Sequence, residues 1–250
     1  MGKFLSSRAT GYEPLFVLKP VARDVWIADG SWIRFYGLPF PTRMTVIRLS
    51  DGSLWVHSPI ADKVGIADAV ATLGEVRYLI APNWIHYAWI PDWQAKFRSA
   101  VTWGSPGVVA RADKYGVQLQ IDHELDDHAP PDWEDQIDQR LADSGVHREV
   151  VFFHRASRTL VLTDLIENFE KHKMPHWVRP LLKLGRVCDP DGRMPRDMAL
   201  SFSRRPKYLL ALVKAMIDWS PERIILAHGR WYEEKGEQEL RRAFRDVLRA

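Results

Sequence analysis

A single cysteine, Cys188, in 250 residues excludes an internal disulfide and any Cys-x-x-Cys metal or redox site. No apolar run approaches the roughly 20 residues that cross a bilayer. Charge of one sign is also scarce. Thirty-five Lys and Arg stand against 32 Asp and Glu, a net charge of +3. That excess is too small to point to nucleic acid or a membrane surface as partner, because such binding needs a concentrated basic face. Residues 1–10 carry Lys3 and Arg8 without an apolar core, so no secretory signal is expected there and the expected location is cytoplasmic. Internal repeats and low-complexity tracts are missing too. What is present is average for a soluble globular chain: 46% apolar and 27% charged residues. One domain spanning 1–250 is the expectation from length. Eleven tryptophans are an exception to the average. They imply a well-filled core or an aromatic-lined cleft.

Local patterns outline the elements. Partial alternation over 16–27 predicts a strand. Two β-rich runs, 44–49 and 54–57, flank Asp51-Gly52, a hairpin signal because both residues tolerate positive φ. Val64, Ala67, Val70 and Ala71 recur at helical spacing before Gly74, which predicts a helix over 61–73. A buried strand is expected at 76–81 and a helix at 92–97. Runs 149–154 and 159–164 predict a second hairpin. The spacing of Leu209, Leu212, Val213, Met216 and Ile217 predicts a helix over 206–219. A short strand at 223–227 and a terminal amphipathic helix at 237–248 complete the order, that of an α/β protein with helices covering its sheets. The acidic stretch 120–143 is expected to be a surface excursion, and its cluster His123, Glu124, Asp126, Asp127 and His128 a solvated loop. The basic stretch 174–205, with a short helix at 176–184, is expected to be an insertion or lid.

Three polar residues end strand-like runs: His86 after 76–81, Asp164 at the end of 159–164, and His228 after 223–227. Residues just beyond strand C-termini share one side of a sheet and converge on a cleft. Two imidazoles and a carboxylate suit zinc or iron, and three protein ligands leave positions open for water or substrate. Each taken singly also fits a strand-end cap.

These segments resemble the metallo-β-lactamase fold superfamily, in which a strand followed by His-x-His-x-Asp-His precedes a strand ending in a bridging Asp and a late strand ending in His. The closer likeness is to a branch described as a domain of unknown function. It rests on Pro82-Asn83-x-x-His86, on Glu149-Val-Val-Phe-Phe-His154 with Ser157-Arg158-Thr159-Leu160, on Thr163-Asp164-Leu165 and on Ala227-His228-Gly229. The resemblance implies an α/β, four-layer αββα sandwich with a partly helical insertion at 174–205.

The departures shape the expected chemistry. Where the superfamily has its first two motif histidines, this chain has Pro82 and Trp84, so the first metal site is expected to be lost. The Asp and the last His of the motif correspond to His86 and Tyr87. The resemblance then implies one zinc or iron ion at His86, Asp164 and His228, with Tyr87 and His147 as possible added ligands and His57 behind them. Asn83 and Asp164 would serve catalysis, Asn83 by orienting substrate or donating to a developing oxyanion. Trp84, Trp89 and Trp93 would form an apolar wall or pack in the core. His154 at the hairpin corner is expected to be exposed. Two functions follow: a metal-dependent hydrolase acting on a small-molecule ester, lactone or similar substrate, or a metal-free scaffold that binds a ligand or partner in the inherited cleft. Oligomeric state is not specified by these residues.

Overall fold

The computed structural model describes residues 12–35 and 37–249; the secretory-signal reading of 1–10 falls outside them. The Asp51-Gly52 hairpin forms as the pattern predicts. β3 (Leu38–Arg48) pairs antiparallel with β4 (Leu54–His57), and Gly52 takes φ +83° in the turn. The stretch expected as one strand is instead two, β1 (Lys19–Ala22) and β2 (Val25–Phe35), joined by a tight turn in which Asp24 has φ 61°. A parallel continuation through β5 (Val76–Ala81), β6 (Val101–Gly104) and β7 (His123–Glu124) makes a seven-stranded sheet in sequential order. The second sheet has four strands. β8 (Ile137–Asp143), β9 (Arg148–His154) and β10 (Thr159–Leu162) are antiparallel, and β11 (Arg223–Leu226) runs parallel to β10.

Apolar faces dictate the layering. Val25, Ile27, Trp55, Tyr78 and Ile80 of the first sheet meet Val150, Phe152, Val161 and Ile225 of the second. The outer face of the first sheet packs on α1 (Ile66–Ala71), α2 (Ile90–Lys96) and α3 (Val108–Lys114). Beyond the second sheet come α5 (Arg196–Ser201), α6 (Pro206–Asp218), α7 (Gly236–Ala243) and α8 (Arg245–Leu248), while α4 (Arg179–Gly185) packs with Phe169 and against the β2–β3 hairpin. Leu209, Leu212, Val213, Met216 and Ile217 of α6 are all buried against that sheet's outer face, as their spacing requires. Helix, sheet, sheet, helix is the four-layer αββα sandwich that the resemblance implied.

Three expectations change. The stretch 120–143 is not a surface excursion. Leu125, Trp133 and Ile137 are buried between the sheets, and its second half is β8. Its acidic residues are exposed or half-buried and outnumber the buried apolar ones, so composition hid the strand. His154 is buried rather than exposed, with Nδ1 bonded to Ser157 Oγ at 2.8 Å. The terminal helix is two, α7 and α8, separated at Phe244. The stretch 174–205 holds α4 and α5 and a small core of its own, in which Met174, Val178, Leu182 and Val187 close on Phe169.

Candidate metal centre

The two sheets meet at the end of β5. There Asn83 bridges to Glu149 at the start of β9, and Val150 N–H donates to Pro82 O at 2.8 Å. β10 and β11 lie side by side, so the residues after them, Asp164 and His228, arrive at the same place. His86 Nε2 lies 3.4 Å from Asp164 Oδ1, and His228 Nε2 lies 3.2 Å from that same oxygen. The three ligand atoms all fall within 4.8 Å of one another. Ligand atoms held about 2.0–2.1 Å from a tetrahedral ion stand about 3.3–3.4 Å apart. Both measured separations from the carboxylate therefore match two edges of such a site, and the donor set fits a divalent ion.

Each of the three side chains is held from behind. His228 Nδ1 lies 2.7 Å from Pro41 O. A carbonyl only accepts, so Nδ1 carries a proton, and Nε2 is the ring nitrogen turned to Asp164. His86 Nδ1 contacts Ser58 Oγ at 2.8 Å. Ser58 adopts φ 51°, a conformation rare for a serine, and so turns from the end of β4 toward this imidazole. Asp164 Oδ2 accepts from Asn83 Nδ2 at 2.7 Å, which leaves Oδ1 to the two imidazoles. Burial alone would raise the Asp164 carboxyl, but His86 and His228 outweigh it and hold it well below the usual carboxylate range.

Deeper supports carry no signal that spacing alone reveals. Glu149 is fully buried, and its carboxylate accepts from the backbone N–H groups of Thr163 (2.8 Å), Asp164 (2.8 Å) and Leu165 (3.2 Å). It sets the turn that aims Asp164. The visible hint is a glutamate opening an otherwise apolar strand. Arg43 is the counterpart under His228. It pairs with Asp29 at 2.8 Å, both side chains nearly inaccessible, and donates to Gly229 O at 3.0 Å. Gly229 has φ +84°, and a Cβ there would meet Asn168 O at 2.2 Å, so only glycine permits this turn after His228.

Other expected site residues fall elsewhere. Asn83 does not line the cavity beside the trio. It is wholly buried, its amide donates to Asp164 and to Thr163 Oγ1 (3.0 Å), and its oxygen accepts from the backbone of Ile85 and His86. It is a positioning residue. Tyr87 points away into the core beside Ile90 and Trp93, where burial raises its phenol further above the ordinary value, so it is no ligand. Trp93 joins that core, donating to Ile60 O, while Trp84 and Trp89 face the cavity. His147 comes close without completing the trio. It lies with Glu149 and Asp164 in a second group of ligand-type atoms. Its Nδ1 accepts from Trp84 Nε1 at 2.9 Å, and its Nε2 faces Glu149 Oε2 at 3.7 Å. Burial disfavours a charged His147, but Glu149 and Asp164 outweigh it and its pKa is raised. His57 lies buried beyond His86, stacked on Trp55 and edged by Phe152. Burial, with repulsion from His86, drives its pKa down to about 3, so it is neutral. The cluster around His123 forms no metal-type group among the described residues. Burial raises the Cys188 thiol, which argues against a nucleophile.

The trio opens into a cavity of about 500 Å³. Its lining takes Ile33, Leu38 and Phe40 from the β2–β3 hairpin and Leu182, Val187 and Met198 from 181–201. Glu167 also lines it. Burial pushes its carboxyl well above the usual range, and the Asp164, Asp197 and Glu149 charges add to that.

Comparison with known proteins agrees with this fold. No curated protein matches the chain. Solved structures match over nearly its full length. A metallo-β-lactamase from Pontibacter korlensis shares 10% identity, with 94% of this chain and 99% of that one covered and a TM-score of 0.58. FIM-1 from Pseudomonas aeruginosa, solved in a mono-zinc form, shares 10% over 93% and 95% of the two chains, with a TM-score of 0.61. A metallo-β-lactamase from Hirschia baltica shares 13% over 92% and 97%, with a TM-score of 0.60. At such identities the likeness shows the fold. A family described as "Domain of unknown function (DUF4336)" matches residues 23–184, which include the hairpin walls, His86, Glu149 and Asp164. The chain belongs to that family, and it carries the family's domain on the metallo-β-lactamase fold.

Proposed function

We propose that the protein is a mononuclear metal-dependent hydrolase of a small-molecule ester or lactone. The observation that carries this reading is the convergence of His86 Nε2, His228 Nε2 and Asp164 Oδ1, at 3.2–3.4 Å from the shared carboxylate, on the wall of a large cavity. His86, Asp164 and His228 would hold one zinc or iron ion. Such an ion supplies Lewis acidity toward a carbonyl and lowers the pKa of water toward neutrality. The chain's own residues do the rest. Pro41 O and Ser58 Oγ fix the imidazole rings, and Asn83 and Glu149 fix the carboxylate, so no reorganisation is needed when substrate arrives. The apolar walls exclude bulk water from the reacting carbonyl. Hydrolysis joins the oxygen of water to the acyl carbon and breaks the acyl C–O bond. One proton of that water passes to the departing oxygen, and the product acid releases the other to solvent.

Metal analysis of protein purified without chelator or affinity metal tests the reading. About one equivalent of zinc or iron is expected, lost in His228→Ala, along with hydrolysis of an activated ester such as p-nitrophenyl acetate. Protein that holds no metal, and gains no thermal stability when zinc or iron is added, overturns it in favour of a ligand-binding scaffold.

A further inference from the structure

The cavity's chemistry is uneven. Away from His86, Asp164 and His228 most of its exposed surface is hydrocarbon, from Leu38, Phe40, Leu182, Met198, Trp84 and Trp89, with Glu167, Asp197 and Ser201 interrupting it. The apolar residues come from three separate parts of the chain, the β2–β3 hairpin, the α4–α5 region and the turn after β5. Their agreement in polarity is a property of the assembled cavity and not of any one segment. The one cation among the lining residues, Arg111, lies over the ring faces of Trp84 and Tyr115, at 4.8 and 4.5 Å from their centroids. The guanidinium therefore caps an aromatic surface and does not break the apolar wall. Leu181 and Val146 also line the cavity, yet they are 47% and 68% exposed. They extend the apolar surface outward to solvent. At about 500 Å³ the space is of small-ligand size, far larger than the carbonyl group that the ligands themselves would engage.

We propose that this cavity is an acyl-chain site, so that the substrate is the ester or lactone of a medium-chain aliphatic acid. Its carbonyl lies at His86, Asp164 and His228, and its chain runs along the apolar lining of Leu38, Phe40, Leu182 and Met198. The substrate class rests on the hydrolase reading above; the affinity for an alkyl chain does not. Burying each further methylene in an apolar site tightens binding by about three- to fourfold, until the cavity is full.

The test titrates butanoate, octanoate and dodecanoate into the zinc-loaded protein and into protein stripped of metal, read by tryptophan fluorescence, which Trp84 and Trp89 make sensitive to the cavity. Affinity rising about three- to fourfold per methylene between butanoate and octanoate is the expected result. Leu38→Trp, which fills the cavity, should abolish the preference for octanoate. Leu181→Gln, at an exposed position, should weaken it several-fold without affecting the melting temperature. Equal affinity for all three chains in protein that holds zinc and cleaves p-nitrophenyl acetate overturns the acyl site and leaves the hydrolase reading standing. Chain-length dependence in protein that never takes up metal keeps an alkyl-binding cavity but overturns its assignment to a substrate.

Discussion

Glu149→Gln is the sharpest test of how the centre is supported. The wild-type carboxylate is wholly buried and receives three backbone N–H groups, from Thr163, Asp164 and Leu165. Hydrogen bonds to a charged acceptor contribute about 1.5–3 kcal/mol each, and a buried donor left unpaired costs about 1–3 kcal/mol. Glutamine keeps one oxygen, which can still accept from Thr163. Its amide nitrogen then confronts the N–H groups of Asp164 and Leu165, donor against donor. Two of the three bonds are lost, and relief of carboxylate desolvation offsets only part of that. The expected destabilisation is about 3–5 kcal/mol, in the range seen when one partner of a buried charged contact is removed. For a chain of this length that lowers the melting temperature by about 6–20 °C. Urea unfolding of the apoprotein and calorimetry measure it directly. The turn bearing Asp164 also loses its anchor, so zinc affinity should fall by about 10–100-fold. A loss of less than about 1 kcal/mol would mean that the N–H groups find other partners and that Glu149 does not set the turn. Unchanged zinc affinity despite a large loss of stability would separate its structural role from the site.

Three further outcomes follow. Asn83→Ala should leave Asp164 Oδ2 unpaired and lower zinc affinity about 10-fold or more; an unaltered dissociation constant by competitive titration would refute the positioning role. Gly229→Ala forces a Cβ to 2.2 Å from Asn168 O at φ +84°, so a loss of about 2 kcal/mol or more is expected by chemical denaturation, and a neutral effect would show that the turn can relax. The third is a pH effect. His57 has a folded pKa of about 3, below the unfolded value of about 6.5, so the unfolded state binds the extra proton between these limits. Stability from this group is full above about pH 6.5 and is lost as pH falls. At pH 5 the loss is about 2 kcal/mol, since 1.5 pH units at 1.36 kcal/mol each separate it from the unfolded pKa. His57→Phe should flatten the pH 5–7 stability profile by that amount, and an unchanged slope would refute it.

Much of the molecule is legible locally. The Asp51-Gly52 turn, the α6 stripe and the strand-end positions of His86, Asp164 and His228 all stand out, because periodicity and turn chemistry act over a few residues. The errors share a cause. At 120–143, exposed and half-buried acidic residues masked the buried Leu125, Trp133 and Ile137. Tyr87, next to His86, packs into the core, and no motif position says which way a turn throws its side chains.

By its own pattern the sequence determined the elements, the α/β class and the three residues suited to hold an ion. Tertiary structure alone decided that they meet. It also decided that Glu149 reaches a turn 14 residues away and that Pro41 holds a histidine 187 residues on. The physical reason lies in range. Helix and strand preferences arise between neighbours, whereas a buried hydrogen bond or an apolar cavity exists only once stacked sheets bring distant atoms within a few ångströms of one another.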